Sequence, residues 1–265
     1  MGLGERANRL SFGKYGAADL LAGRAFTYNL YPFSHIELGG AFSLDISLSL
    51  GSLPGMLALE EVEDRKEYLR SYVKTYLKEE IVAEQVIRQI QPFRDFLEIA
   101  AQCNGQIINY SKIARDIGVD DKTVQSYFQI LEDTLVGFML PSFHRSIRKR
   151  QREAPKFYFF DPGVKRALDR TLRMELVPQT FAYGKAFEHW VILEAMKMNE
   201  YRRLDYQFMY LKTKDDAEID LIIERPGEKT LLVEIKSSVQ VQAGVINSSY
   251  KISENVVISL LNGDI

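Results

Sequence analysis

Cysteine and histidine are scarce in this chain, which has one cysteine, Cys103, and three histidines among its 265 residues. A lone cysteine excludes an internal disulfide framework. Together with so few histidines it also leaves no ligand set for a structural zinc site or a haem. Because disulfides accumulate in oxidising compartments, their exclusion favours a reducing one, and we expect a cytoplasmic location.

Long apolar runs and an excess of one charge are also missing. No stretch of about 18 uninterrupted apolar residues occurs, so no membrane partner is expected. The formal net charge is only -2, and a nucleic-acid partner therefore has to be argued from local clusters. The content of 46% hydrophobic and 26% charged residues is that of an ordinary globular protein.

The middle of the chain shows helical periodicity followed by a helix-turn-helix pattern. Apolar residues recur at steps of three and four from Leu69 to Ile81, which predicts one helix, and Pro92 opens the next. A short helix then ends at Gly118, and another begins after Asp120 or Asp121. The strands LVGFMLPSF and PKFYFFDPG, joined by HRSIRKRQREA, complete a predicted winged helix.

The last part of the chain combines a helix with strands. We expect the helix over Phe181 to Asn199, with Trp190 on its apolar face. The predicted strands are YQFMYLK, AEIDLIIE, TLLVEIKSS and NVVISLL. The turn RPGEK between the second and third of these predicts a hairpin. The expected fold class is therefore α/β, mainly helical in the middle.

Charged side chains mark one face of that hairpin. Successive side chains of a strand alternate, so Glu234 and Lys236 share a face while Val233 and Ile235 share the other. Charges on a strand this apolar are costly unless something uses them. An antiparallel register can place Asp220 next to Glu234, and two such carboxylates favour a bound Mg²⁺ or Mn²⁺. Glu188, on the preceding helix, can complete the metal shell.

The order of these residues resembles the PD-(D/E)xK nuclease superfamily, with its restriction-endonuclease-like fold. The resemblance implies that Asp220, Glu234 and Glu188 bind the metal and that Lys236 assists the attacking water, all four being catalytic residues. The sequence departs from the motif at Ile219, which stands where a proline would precede Asp220. The other interpretation is a salt-bridged remnant on an inherited fold.

The whole chain also resembles the C-terminal part of predicted bacterial and archaeal AAA-type ATPases, in which a winged helix and a nuclease-like domain follow a nucleotide-binding domain. The stretches that carry this resemblance are LLAGRAFTYNLYPFS, YLRSYVKTYLKEEI, IARDIGVDDKTVQSYFQILEDT, FYFFDPGVKRAL, GKAFEHWVILE, AEIDLIIE and VEIKSS. It predicts an ATPase remnant over residues 1–64, a winged helix over 65–161 and a restriction-endonuclease-like domain over 162–265.

The phosphate-binding loop of such ATPases is not found in this sequence. We therefore expect no ATP hydrolysis by this chain alone, and ATP as a cofactor only where a separate nucleotide-binding domain is present. A separate ATPase-domain partner would supply the missing part, and a homo-oligomer is the other protein partner expected.

Nucleic-acid contacts are expected from two places in the winged helix. Five cations in the loop between its strands form the strongest basic cluster, and polar side chains on its second helix can contact phosphates or base edges. The cations are Arg145, Arg148, Lys149, Arg150 and Arg152, and the polar side chains are Lys122, Thr123, Gln125, Ser126 and Gln129. DNA or RNA is the expected partner.

Two hypotheses follow. The first is a nucleic-acid-associated portion of an AAA-type ATPase, with a winged helix for DNA binding and a Mg²⁺-dependent nuclease site. The alternative is a non-catalytic interaction or assembly module whose nuclease-like fold is inactive.

Overall fold

The computed structural model describes residues 28–75, 90–144, 146, 153–212, 218–237 and 254–259. Helices alternate with two small sheets, one of two strands and one of four, so the expected α/β fold class is confirmed. No helix among these residues has the length and apolar character needed to cross a membrane. The domain boundaries after residues 64 and 161 stay predictions.

Short helices occupy the N-terminal part. They are α1 (His35–Leu38), α2 (Leu44–Leu50) and α3 (Val62–Tyr72), with 3-10 turns at Gly39–Ala41 and Pro54–Met56. Helices α1 and α2 begin at serine caps whose side chains accept a backbone hydrogen bond. The predicted periodicity is confirmed at Leu69 and Val73, which are buried, whereas its continuation from residue 76 onward lies outside the described residues.

The predicted helix-turn-helix is present. Helix α4 (Ile90–Gln102) precedes α5 (Tyr110–Ile117) and α6 (Asp121–Asp133). Gly118 ends α5 in the left-handed conformation, with φ of 72°, and the Asp120 side chain caps α6. Pro92 lies two residues after Ile90, the first described residue of α4. A proline is tolerated in the first turn of a helix.

Strand β1 (Gly137–Leu140) pairs with β2 (Lys156–Phe159) in antiparallel register, as predicted. Alternate side chains of β2 serve two different cores. Phe157 and Phe159 join the aromatic core of the helical part, whereas Tyr158 joins the core beneath the four-stranded sheet. The aromatic run is therefore core, and Lys156 shares the side of Tyr158.

The C-terminal part begins with α7 (Pro162–Leu168) and the long helix α8 (Phe181–Arg202). Helix α8 extends three residues beyond the predicted end because its final turn is closed by left-handed Arg203. Its residues Phe187, Trp190 and Val191 are buried against the sheet.

The larger sheet has the order β3, β4, β5, β6. Strands β3 (Gln207–Lys212), β4 (Glu218–Glu224) and β5 (Leu231–Lys236) form an antiparallel meander. Strand β6 (Glu254–Ser259) pairs parallel to β5 and supplies the fourth strand. The predicted hairpin between β4 and β5 is confirmed, and its turn contains Gly227 with φ of 75°.

Candidate functional site

The β4–β5 hairpin brings Asp220 close to Glu234, whose charge contributes to the raised pKa of Asp220. The described pairing ends at Leu221 with Val233, and one further step of the same register would place the two acidic residues opposite each other. Residues directly opposite each other in antiparallel strands have side chains on the same face. The backbone N–H of Ile235 donates a 2.8 Å hydrogen bond to Oδ2 of Asp220, which fixes that carboxylate at the strand pair.

The side chain of Lys236 contacts Glu234, two residues before it on the same strand. Its Nζ is 2.6 Å from Oε1 of Glu234, and half of its side chain is exposed (50%). The hydrogen bond from Lys236 to Glu234 is the main cause that raises the lysine pKa above its usual value, and burial opposes it. Lys236 is therefore a cation at neutral pH, with part of its side chain open to solvent.

Glu188 approaches from the first half of α8 and is almost fully buried. Its Oε1 accepts a 2.8 Å hydrogen bond from the Tyr158 hydroxyl and lies 3.7 Å from Nζ of Lys156. Its Oε2 accepts a 2.6 Å hydrogen bond from Nζ of Lys185. Both oxygens of this carboxylate are thus engaged by groups of the protein itself.

Lys156 links Glu188 on α8 to Glu218 on β4, and the sequence did not predict it as a site residue. It is only 1% exposed, and its Nζ donates a 2.5 Å hydrogen bond to Glu218 besides facing Glu188. The ammonium also lies 5.2 Å from the centre of the Tyr210 ring. The position of this lysine in the apolar run KFYFF could have indicated it, because a cation buried in a strand requires charged partners.

Electrostatics identify Asp220 as the least compensated acid of the group. Burial, and after it the neighbouring carboxylates Glu188 and Glu234, raises the pKa of Asp220 to about 6, while the Ile235 N–H acts in the opposite direction. Burial and Glu188 also raise the pKa of Tyr158 well above its usual value, so the phenol remains a hydrogen-bond donor.

Asp220 and Glu234 are the two carboxylates of this site that could hold a divalent cation. Mg²⁺ keeps several waters and is commonly held by one or two carboxylates plus substrate phosphates, which matches Asp220 and Glu234. Glu188 fits less well as a third ligand, because Tyr158, Lys156 and Lys185 already occupy its oxygens. In the described part of the chain, no group of three or more His, Cys, Asp or Glu side chains is arranged to hold a metal ion.

The second helix of the helix-turn-helix presents a polar outer face. Lys122, Gln125, Ser126 and Gln129 are exposed on α6, opposite the buried Val124, Tyr127, Phe128 and Leu131 that the pattern predicted. Thr123 is half-buried and bonds the capping carboxylate of Asp120 through its backbone N–H and its hydroxyl. The predicted wing cations Arg145, Arg148, Lys149, Arg150 and Arg152 lie outside the described residues.

His189 packs in the core next to this site. Its Nε2 is 2.6 Å from the carbonyl oxygen of Phe159, and burial lowers its pKa to about 3. The imidazole is therefore neutral near pH 7 and donates to that carbonyl. His189 is therefore a buried core residue whose ring is engaged by the protein backbone.

Comparison with known proteins places domains of unknown function on both halves of the chain. The family model "Domain of unknown function (DUF8612)" matches residues 43–175, and "Domain of unknown function (DUF4143)" matches residues 183–261. DUF4143 is a domain found in the C-terminal regions of AAA-ATPase-like proteins.

Curated relatives extend this similarity over most of the chain. An uncharacterized protein of Mycobacterium bovis and one of Mycobacterium tuberculosis are each 28% identical over 214 residues, covering 80% of this chain and 47% of the relative. The chain therefore spans about half the length of the curated relatives it matches. No solved structure matches it.

Proposed function

The chain belongs to the DUF8612 family of domains of unknown function, and we propose that it is a nucleic-acid-associated C-terminal portion of an AAA-type ATPase that carries a Mg²⁺-dependent nuclease site. The DUF4143 match supports the ATPase context. The half-length coverage of the relatives leaves room for a nucleotide-binding domain, to which we assign ATP and its hydrolysis.

The observation that carries the nuclease proposal is the register of the β4–β5 hairpin. Continued by one residue, that register would place Asp220 and Glu234 on one face, and the Lys236 ammonium lies 2.6 Å from Glu234. Acidic and basic groups collected on a strand pair that is otherwise apolar are costly to bury. A phosphodiester and its metal ion would use all three.

Each residue has a distinct role in this proposal. Asp220 and Glu234 would hold Mg²⁺, which when bound polarises a phosphoryl oxygen and lowers the pKa of a coordinated water. Lys236 donates to the phosphate oxygens and stabilises the charge that develops on them. Glu188 acts as a positioning residue, because it anchors Lys156 and Lys185 beside the two ligands.

Nucleic acid would be held by the winged helix. The exposed polar face of α6 suits contacts to phosphates and base edges, and the predicted wing contributes cations that attract the backbone. A gel shift with DNA and with RNA tests this assignment. We expect substitution of the wing arginines by alanine to weaken binding and to reduce its salt dependence, and unchanged, salt-sensitive binding would remove the wing from the interface.

Cleavage of plasmid and single-stranded DNA with Mg²⁺ tests the catalytic proposal. We expect cleavage by the wild type that EDTA abolishes and that Lys236→Ala reduces by about a hundredfold or more, as loss of one electrostatic group in an active site does. Lys229→Ala, which removes a lysine near the turn of the same hairpin, serves as the control. Cleavage that survives Lys236→Ala would remove that lysine from the mechanism.

A second candidate function is a non-catalytic assembly module. The observation that favours it is the complete engagement of Glu188 by Tyr158, Lys156 and Lys185, which balances one carboxylate without a metal ion. In this case the purified protein would not cleave nucleic acid with any divalent cation, and Asp220→Asn would leave its association with an ATPase partner unchanged.

A further inference from the structure

A cavity of about 330 Å³ adjoins the carboxylate site. It lies between α7, the loop that follows it and the first turns of α8, and its apolar wall includes Leu48, Met174, Leu176 and Phe181. Lys185, which pairs with Glu188, also lines it. This volume is at the lower end of the range of about 300 to 1,000 Å³ that is typical of small-molecule sites.

Arg166 supplies a buried cation to the wall of this cavity. The residue is only 5% exposed, and its Nη2 donates to the carbonyl oxygens of Thr171, at 2.6 Å, and of Met174. Its Nε and Nη1 have no hydrogen-bond partner. Buried guanidinium groups are normally satisfied, because each unpaired N–H retains the cost of losing its water.

Asp169 is the acidic group whose charge acts on Arg166, but no carboxylate of the described residues forms an ion pair with it. Lys165 pairs with Asp169 at 2.5 Å and Lys185 pairs with Glu188 at 2.6 Å, so these neighbouring lysines are balanced. Glu175 lines the cavity too, yet among the described residues no ion pair joins it or any other carboxylate to Arg166. An arginine cannot discharge itself by losing its proton near pH 7, so the wall keeps a buried cation with two unpaired nitrogens.

The mouth of the cavity exposes apolar surface. Phe181 is 82% exposed and Met174 is 66% exposed, and both line the cavity. A large exposed aromatic next to a concave, mostly apolar site is typical of ligand binding.

We propose that this cavity binds a small organic anion whose oxyanion group pairs with Arg166 and whose apolar body packs against Leu48, Met174 and Phe181. The ligand class is an aromatic or branched aliphatic group that bears a carboxylate or a phosphate. This site uses neither Asp220 nor Glu234, so its failure and the failure of the nuclease proposal are independent.

Anilinonaphthalene sulfonate is a suitable probe, because it joins a fluorescent apolar body to an oxyanion. Titration of the native wild-type protein should give saturable fluorescence with one site per chain. Phenylnaphthylamine, which has the same rings without the charge, should bind about tenfold more weakly or worse, because it lacks the charge-assisted hydrogen bonds. Benzoate or phenyl phosphate should displace the probe, and the more effective competitor identifies the oxyanion.

Two variants test the assignment of the residues. Arg166→Met should weaken the sulfonate probe by about tenfold or more and leave the uncharged probe unchanged. Ala186→Met, which fills the cavity without touching the arginine, should weaken both probes and covers the case in which Arg166→Met fails to fold. Arg202→Met removes an exposed arginine at the far end of α8 and should bind both probes as the wild type does.

The proposal is overturned by any of three results. The first is that the two probes bind with equal affinity. The second is that folded Arg166→Met or Ala186→Met binds the sulfonate probe as tightly as the wild type does. The third is that neither benzoate nor phenyl phosphate displaces the probe. The first result would indicate that the probes respond only to exposed apolar surface.

Discussion

At the residue scale, the site is a set of acids whose charges are compensated unequally. Glu188 is balanced by Lys156, Lys185 and Tyr158, whereas Asp220 receives a backbone N–H and faces two other carboxylates. A cation brought to Asp220 and Glu234 would relieve that repulsion. The two proposed metal ligands, Asp220 and Glu234, thus differ from the positioning residue Glu188, whose charge the protein already balances.

The buried position of Lys156 leads to the first prediction. Lys156→Met should lower the free energy of unfolding by about 2 to 3 kcal/mol, because it leaves the buried Glu188 with less charge compensation. Urea unfolding at pH 7 measures the change. Arg70→Met, which breaks an exposed pair with Glu67, should cost less than about 1 kcal/mol. Equal effects of the two substitutions would refute the structural importance of Lys156.

His189 leads to a pH prediction. Burial lowers its folded-state pKa to about 3 from an ordinary value of 6.5, so between these values the unfolded chain binds a proton that the folded chain does not. Stability from this group is therefore present above pH 6.5 and is lost as the pH falls. His189→Gln keeps a donor for the Phe159 carbonyl but cannot titrate.

Urea unfolding at pH 7 and pH 4.5 checks that sign. The wild type should lose about 2 kcal/mol more than His189→Gln between the two pH values. An equal loss in both proteins would mean that other groups cause the acid sensitivity.

Sequence reasoning identified some of the site residues and not their partners. Asp220, Glu234 and Lys236 could be predicted to share a face, because alternation along a strand and hairpin pairing are local rules. Lys156 and Tyr158 come from β2, some 30 residues before Glu188 and about 60 before Asp220 along the chain. Their approach depends on how two cores pack against the same strand, which no local pattern encodes.

At the element scale, the helix ends that could be predicted from the sequence are those marked by a capping residue or a turn glycine. Gly118 and Asp120 mark the helix-turn-helix in the sequence, and the structure uses both as expected. The end of α8 was missed by three residues because Arg203, not a glycine, adopts the left-handed conformation there. Boundaries without a glycine or an Asx cap therefore remain the weakest part of such predictions.

Gly118 gives the prediction at this scale. Gly118→Ala should reduce the free energy of unfolding by about 1 kcal/mol, because a Cβ disfavours the left-handed conformation at φ of 72° although no atom obstructs it. Gly40→Ala is the matched control, since Gly40 has open space and no positive φ. Urea unfolding of the three proteins makes the comparison, and a Gly118→Ala effect no larger than that of Gly40→Ala would contradict the explanation.

At the scale of the whole molecule, β2 joins the helical part to the four-stranded sheet. Its side chains alternate between the two cores, and Lys156 and Tyr158 carry ion-pair and hydrogen-bond contacts to α8 and β4. Strand β2 thus supplies two of the groups that surround the candidate site.

This connection predicts a single cooperative unfolding transition. Trp190 is the only tryptophan of the chain and reports on the core beneath the larger sheet, whereas far-UV circular dichroism reports mainly on the helices. Both signals should give the same urea midpoint, as two-state behaviour requires. Midpoints that differ by about 1 M or more would show that the two parts unfold independently.

Divalent-cation binding tests the central claim most directly. Isothermal titration of the purified chain with Mn²⁺ should detect one ion per chain in the wild type and in Glu228→Gln, a control that removes an exposed acid at the hairpin turn. Asp220→Asn and Glu234→Gln should each weaken that binding by about tenfold or more, because each removes one of two charged ligands. Equal binding by all four proteins, or none by the wild type, would contradict the proposed site.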